Sequence, residues 1–506
     1  MIFNNTKTKI SAGDASRRKI LQWFGVASSV FVAGCGGGSD NAVPGPVNSV
    51  TPPASSNGNS QPSVTGSVVL TSVNVSSVIA GQLAADFTGL SIEKRHIFDG
   101  FFSPSNTQGI ALYRLLGSSL LRMGGNSVDT TAWMPSGAGM TSNQVAPSDI
   151  DALAGFLRVT GWKVLYGVNL AQSTPALAAA EVAYAVNAFG DSLYGIEIGN
   201  EPDLYKNQYF SSTWKFSDYL TLWQSFATAI QIASPKVRLT GPAVAQNIQT
   251  YFQPFAAAQG SQILLLTKHY YRGNGALATS TVDALLSYPD TTLQQQLSQL
   301  LTISQSSGVP FRVAETNSFY GGGASGVSNS YASALWMIDH VMTCALGGAS
   351  GVNFHGGGGA TGYTQYVATN STVTALNPEF YGLKLLSLAG SGSLLTTTIS
   401  ANGLNVSAYA IQAAQGAINV VIVNKDSTQN LNVSIALPTL LITPHSATLQ
   451  VMQGPVLNAI ANPTIQGASI GLDGSFSPNQ SYSLNVTANV VSATVPAASA
   501  VVIRIV

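Results

Sequence analysis

Charge is what this sequence has least of. Only 8% of its 506 residues are Asp, Glu, Lys or Arg, and the 21 basic and 21 acidic side chains cancel to a net charge of zero. That balance leaves no electrostatic footprint for nucleic acid and little attraction for a highly sulfated polyanion. There are five histidines, none in a ligand spacing such as H-E-x-x-H, so no metal mechanism and no cofactor are expected. The glycine run Gly356 to Gly359 lacks the G-K-[ST] of a phosphate loop and reads as a flexible rim, with Gly321 to Gly323 as its counterpart.

Cysteine is almost as scarce, at two residues. Cys35 ends Val32-Ala33-Gly34-Cys35, a lipobox-like stretch preceded by the twin-arginine form Ser16-Arg17-Arg18-Lys19-Ile20-Leu21 and an apolar run from Trp23 to Ala33. That run falls short of the roughly 20 residues that cross a bilayer. Residues 1–35 are therefore read as an export signal, with Cys35 the lipidated residue of a membrane-anchored, exported protein. Cys344 is then left without a partner, so no intramolecular disulfide is expected, and it reads as a small buried hydrophobe. Residues 36–66, rich in Gly, Ser, Pro and Asn, read as a tether.

Apolar residues, by contrast, make up 45% of the chain, enough for two cores, since single cores stop growing at roughly 250 to 300 residues. Between residues 83 and 390 short apolar runs alternate with helical stretches such as Pro175–Ala188, Phe216–Ala233, Leu293–Ser304 and Tyr381–Ala389. Strands are expected at Phe87–Glu93, Leu120–Gly124, Val164–Asn169, Gly195–Glu201, Val237–Pro242, Ile263–Tyr270, Phe311–Glu315 and Gly351–His355. Such βα alternation predicts an α/β fold, a (β/α)8 TIM barrel. Residues 391–506 switch to β-branched alternating runs and predict a C-terminal antiparallel β-sandwich, joined by an N-terminal strand within residues 67–82. Tryptophan is absent after residue 390, so this sandwich is read as structural rather than sugar-binding.

Barrel enzymes keep their chemistry at the carboxyl ends of the strands. Here those ends carry Glu93, Arg122, Asn126, Asn169, Asn200-Glu201, His269-Tyr270-Tyr271, Glu315 and His355. Glu201 and Glu315 end the fourth and seventh strands, which face each other across a barrel mouth. Two such carboxyls suit glycoside hydrolysis with retention, which needs a protonated acid and an ionised carboxylate about 5 to 5.5 Å apart. Asn200 would bond the sugar hydroxyl beside the reacting carbon. Alternation puts Glu197 on the same side as Glu201 but deeper, where Arg122 is its expected partner. Either Tyr271 or Tyr270 would hydrogen-bond Glu315, with His269 and His355 orienting that shell.

The segments L-R-M-G-G-N, I-G-N-E-P, K-H-Y-Y, A-E-T-N-S-F-Y-G-G-G and N-F-H-G-G-G together resemble clan A glycoside hydrolases, and family 79 in particular, whose members include β-glucuronidases and heparanases. The resemblance covers the chain from about Val68 onward. It implies a retaining hydrolase with Glu201 as acid/base and Glu315 as nucleophile. It further implies that Tyr320, the Gly322 backbone N–H and Tyr363 hold a uronate carboxylate, and that Glu93 and Asn126 contact hydroxyls of the same sugar. Phenol and glycine donors can hold an anion without a cation. The expected function is a monomeric exo-β-glucuronidase removing terminal glucuronate, with or without a 4-O-methyl group, from glycans or glucuronides. The alternatives are an endo-acting heparanase-like enzyme and a non-catalytic carbohydrate-binding lipoprotein. Sulfated chains would need several cations, and Arg272, Lys206, Lys94 and Arg95 are the obvious candidates near strand ends.

Overall fold

A computed structural model describes residues 61–356, 361–439, 441–478 and 482–506. The expected signal segment with Cys35, the tether up to residue 60 and Gly357 to Gly359 lie outside the described residues. The described residues fall in one compact unit, Gly58–Val506.

Eight parallel strands close a barrel: β1 (Thr88–Glu93), β2 (Leu120–Gly124), β3 (Lys163–Val168), β4 (Leu193–Ile198), β5 (Leu239–Val244), β6 (Ile263–Asn274), β7 (Phe311–Tyr320) and β8 (Val352–Gly356). The ring closes through β8 pairing with β1, from Val352↔Thr88 to Gly356↔Ile92. Strands covered on both faces read as near-continuous apolar runs, and β5 is buried at every position. Each strand is followed by a helix on the outside: α1 (Thr107–Leu116), α2 (Pro147–Thr160), α3 (Pro175–Phe189), α4 (Phe216–Ala233), α5 (Gln253–Gln259), α6 (Thr291–Ser307), α7 (Tyr331–Leu346) and α8 (Pro378–Ala389). Their starts carry the usual chemistry: Pro175 opens α3 behind a Thr174 cap, and Asp290 caps α6.

Four strand ends depart from the expected bounds by more than one residue. The fourth strand stops at Ile198 rather than running to Glu201. The fifth runs to Val244, the sixth to Asn274 and the seventh to Tyr320. The fifth and the seventh carry an extra residue in their pairing. On β5, Pro242 and Val244 oppose consecutive residues of β6, leaving out Ala243, while on β7 Val313 and Glu315 do the same and leave out Ala314. Such bulges break simple alternation and re-aim side chains.

The C-terminal part forms an 11-stranded sheet curled on itself into a sandwich. The N-terminal strand Val68–Leu83 belongs to it and ends one residue beyond the expected residues 67–82. It pairs antiparallel with Gly392–Ser400 but parallel with Asn430–Ala436, so the sheet is not wholly antiparallel. The strand Ile418–Asn424 is buried at every position because its two faces serve different cores. Val420 and Ile422 pack inside the sandwich, whereas Val421 and Val423 join the barrel's core cluster. Between the two parts lies α7, buried all round from Tyr331 to Ala345, as expected of an apolar helix covered on every side.

Candidate active site

Arg122 on β2 organises the floor of the barrel mouth. Its Nε donates to Glu197 Oε2 at 2.6 Å, Nη1 to Glu315 Oε2 at 2.7 Å and to Ser91 Oγ at 3.2 Å, and Nη2 to Asn200 Oδ1 at 2.9 Å. A rigid fork of five N–H donors is the side chain suited to several fixed acceptors at once. The glycines after it make room. A Cβ on Gly124 would sit 2.6 Å from the guanidinium, and one on Gly125, at φ +74°, would sit 2.6 Å from the Glu93 carboxyl.

Glu315 is buried at the β7 bulge. Tyr271 donates its hydroxyl proton to Oε1 at 2.8 Å. His355 Nδ1 and His269 Nδ1 lie 3.8 and 3.9 Å from Oε2. Burial alone would raise the Glu315 pKa, but the two imidazoles, Arg122 and the Tyr271 hydrogen bond hold it well below the usual carboxylate range. Tyr270, the alternative partner, is not the one that bonds Glu315. Neighbouring residues on a strand point to opposite faces, and the Tyr270 hydroxyl goes to Asp290 Oδ2 at 2.7 Å.

Glu201 lies three residues beyond the end of β4, in left-handed backbone at φ 52°, ψ 52°. Its N–H donates to the carbonyl of Ala243, the bulged residue of β5, at 2.9 Å. Pro202 then opens a 3-10 turn, Pro202–Leu204. The turn and the bulge together aim the carboxyl at the mouth, where Oε1 is 2.9 Å from His269 Nδ1. One carboxylate oxygen of Glu201, one of Glu315 and a ring nitrogen of His269 all lie within 4.8 Å of one another. These three could in principle hold a cation, but the Arg122 guanidinium on Glu315 already fills that electrostatic role.

Glu93 and His355 form the adjoining wall. Glu93 accepts from Ser127 Oγ at 2.5 Å and from the backbone N–H of Ser127 at 2.8 Å and of Asn126 at 3.3 Å. His355 Nε2 is 3.6 Å from Glu93 Oε1. Against the upward push of burial, His355 and Ser127 hold Glu93 at about 2. For His355 burial acts downward, but Glu315 and Glu93 prevail and raise its pKa. The His355 ring thus sits between two carboxylates, which favour its protonated form.

These groups line a cleft of about 780 Å³, whose wall includes Glu93, Asn126, Glu201, His269, Tyr270, Tyr271, Glu315, Tyr320, Gly322, His355 and Tyr363. Tyr320 is 45% exposed, so its phenol is free to meet a ligand. Tyr363 N–H donates to the Gly322 carbonyl at 3.2 Å, joining the two sides of the rim. The Tyr271 ring stands 5.9 Å from Tyr363 and 6.5 Å from Tyr320. Asn200, Arg122 and Glu197 lie behind this wall. The Asn200 amide, 2% exposed, donates to Asn126 Oδ1 at 3.2 Å, so Asn126 is the amide of that pair that lines the cleft.

No family model matches the chain. It is 26% identical over 297 residues to a β-glucuronidase of Aspergillus niger, covering 52% of this chain and 54% of that protein. It is also 28% identical over 205 residues to a heparanase of Mus musculus, covering 38% and 37%. The chain thus spans about half or less of the length of these curated relatives. These similarities support a family 79-like glycoside hydrolase. Its fold matches that of a 4-O-α-L-rhamnosyl-β-D-glucuronidase from Fusarium oxysporum 12S with a TM-score of 0.72 at 20% identity, over 85% of this chain and 99% of that one. A GH51 arabinofuranosidase from Xanthomonas axonopodis pv. citri gives 0.63 at 15% identity, over 86% and 100%.

Two further residues of the site escape a reading of strand ends. Asp129, buried in the turn after Asn126, accepts from Tyr205 OH at 2.5 Å, from the N–H of Asn200 at 3.2 Å and from those of Leu170 and Ala171 at 3.0 and 3.1 Å. It ties the ends of β2, β3 and β4 together. Burial raises its pKa to about 6 against those hydrogen bonds. Lys268, also in the cleft wall and 1% exposed, donates to the carbonyls of Ala245 and His269 at 2.6 and 2.5 Å. Burial lowers its pKa to about 8, partly offset by Asp203 and Glu201. Asp129 had a weak signal, the polar run G-G-N-S-V-D-T-T, and Lys268 stands first in the K-H-Y-Y segment, where only the histidine and tyrosines were singled out.

Proposed function

We propose that the chain is a retaining β-glucuronidase that removes single terminal glucuronate residues. Glu315 attacks the anomeric carbon as Glu201 gives its proton to the departing glycosidic oxygen, forming a glycosyl ester. Glu201 then takes a proton from water, which attacks the same carbon and releases Glu315. The observation that carries this reading is that one oxygen of Glu201 and one of Glu315 approach to within 4.8 Å, which favours the roughly 5 to 5.5 Å spacing of a retaining pair over the roughly 6.5 to 9.5 Å of an inverting one. Tyr320, Gly322 and Tyr363 would hold the uronate carboxylate, with His355, whose protonated form Glu93 and Glu315 favour, tempering the repulsion from those two carboxyls. Glu93 and Asn126 would take sugar hydroxyls, and Asn200 would act through Asn126.

Exo action is favoured by the scarcity of free cations. Arg272 is committed to Asp290 at 3.2 Å and to backbone carbonyls, and Lys94 is buried against Glu181 at 2.6 Å. Lys206 does not line the cleft, which leaves Arg95 and the carbonyl-bound Lys268. The partial match to heparanase favours an endo-acting alternative, and a heparan sulfate digest showing internal cleavage would select it. Proton NMR of the first-formed sugar tests the mechanism: β-glucuronic acid appearing first supports retention, and the α-anomer refutes it. Lipid attachment at Cys35 and a monomeric state belong to the same proposal. Loss of metabolic lipid labelling in Cys35→Ala and the mass in solution test them.

A further inference from the structure

Beneath the cleft, at the start of α8, Glu379 is fully buried. Its Oε2 accepts from Gln365 Nε2 at 2.8 Å and from Asn317 Nδ2 at 3.2 Å. Its Oε1 and the Oε1 of Gln365 both lack a hydrogen-bond partner among the described residues. An ionised Glu379 leaves both oxygens unsatisfied, and a carboxylate buried without a cation is costly. One proton on Glu379 Oε1 meets both needs. It lets the acid donate to Gln365 Oε1 while Gln365 Nε2 donates back, closing a cyclic acid–amide pair.

We propose that Glu379 is a protonated positioning residue that locks the Tyr363 loop to the Glu315 strand beneath the cleft. Gln365 lies two residues beyond Tyr363, and Asn317 two beyond Glu315. The Asn317 amide also donates to the His355 carbonyl at 2.9 Å. One buried carboxyl thus sets the backbone that presents three cleft residues. The charged and titratable neighbours do not neutralise it. Glu315 and His355, on β7 and β8, turn their side chains to the cleft, and the Tyr363 ring faces Tyr271. On α8 itself Lys384 donates to the Leu115 carbonyl, and Tyr381 accepts from the N–H of Ile470. Burial raises the Glu379 pKa to about 8, with the two amide hydrogen bonds acting in the opposite direction.

The functional consequence rests on the uronate-clamp reading of Tyr363, but the proton and the lock can be tested without substrate. Infrared difference spectra of wild type minus Glu379→Gln at about pH 7 should show a protonated-carboxyl stretch that fades as pH rises through about 8. If the variant does not fold, wild-type spectra on either side of that pH carry the same band. Absence of the band overturns the proposal. Hydrogen exchange in the segment carrying Tyr363 should accelerate above that pH in wild type relative to Glu379→Gln, whose amide preserves the ring. Equal exchange in the two proteins contradicts the lock. With an aryl β-D-glucuronide, KM of the wild type should rise about threefold to tenfold across the same window, as expected for one lost hydrogen bond, and stay flat in Glu379→Gln. A parallel rise in both proteins overturns the positioning role. Failure of wild type to turn over the glucuronide counts against the clamp reading alone.

Discussion

Arg122 Nη1 lies 2.7 Å from Glu315 Oε2 while Nε of the same guanidinium lies 2.6 Å from Glu197 Oε2, so one buried cation serves the reactive carboxylate and its deeper companion together. Removing one partner of a buried pair costs about 3–5 kcal/mol. Arg122→Met is therefore expected to lower the free energy of unfolding in urea by about that amount, and to move the acid limb of kcat/KM to higher pH as Glu315 loses a positive neighbour. Arg122→Lys, lacking the fork, should rescue neither fully. An unchanged acid limb in a folded Arg122→Met would contradict the role assigned to this cation.

Tyr271 and Tyr270 should separate cleanly. Loss of a hydrogen bond to a charged group is worth about 1.5–3 kcal/mol, so Tyr271→Phe should reduce kcat/KM by roughly 10- to 100-fold. Tyr270→Phe, whose hydroxyl serves Asp290, should change stability and leave kinetics near wild type. Equal kinetic losses would argue against the Tyr271–Glu315 contact.

How far the sequence reaches is clear from these two tyrosines. Barrel strands were legible because a parallel strand buried on both faces reads as an unbroken apolar run, and the Arg122–Glu197 pair followed from the improbability of an unpaired buried carboxylate. The choice between Tyr270 and Tyr271 was not legible, because it depends on which face of β6 meets Glu315 across the Ala314 bulge. Glu201 was named but placed on a strand it has already left, since neither its left-handed backbone nor the Ala243 bulge leaves a trace in alternation. Asp129 and Glu379 look like ordinary polar residues until the contacts around them are known.

Stability should depend on pH in opposite senses at two carboxyls. Glu93 is depressed to about 2 from 4.5, so its contribution is present above 4.5 and is lost as pH falls toward 2. Glu379 is raised to about 8 from 4.5, so folding takes up a proton between those values. Its contribution is full below 4.5 and declines as pH rises through 8. Denaturation of Glu379→Gln and wild type across this range should show a stability difference that shifts in favour of the variant with rising pH. A constant difference would contradict a protonated Glu379.

Asp339 on α7 links the barrel to the sandwich, accepting from Lys425 Nζ at 2.6 Å, Tyr409 OH at 2.9 Å and Ser407 Oγ at 2.5 Å. Lys425→Met leaves that carboxylate buried without its cation and should cost about 3–5 kcal/mol, measured by urea denaturation. Neither residue lines the cleft, so KM should not change. A KM effect without loss of stability would contradict a purely structural link.

The central claim is that the cleft recognises a uronate and transfers it through Glu315. Its most direct measurement is kcat/KM for an aryl β-D-glucuronide beside the matching β-D-glucoside, with Glu315→Gln as control. The account predicts a preference for the glucuronide of at least about 100-fold, as for a site whose donors would be left unpaired by the neutral sugar. It also predicts a loss of roughly 10,000-fold or more in Glu315→Gln, the scale seen when a nucleophile is removed. Equal turnover of glucoside and glucuronide, or activity surviving in Glu315→Gln, would contradict it.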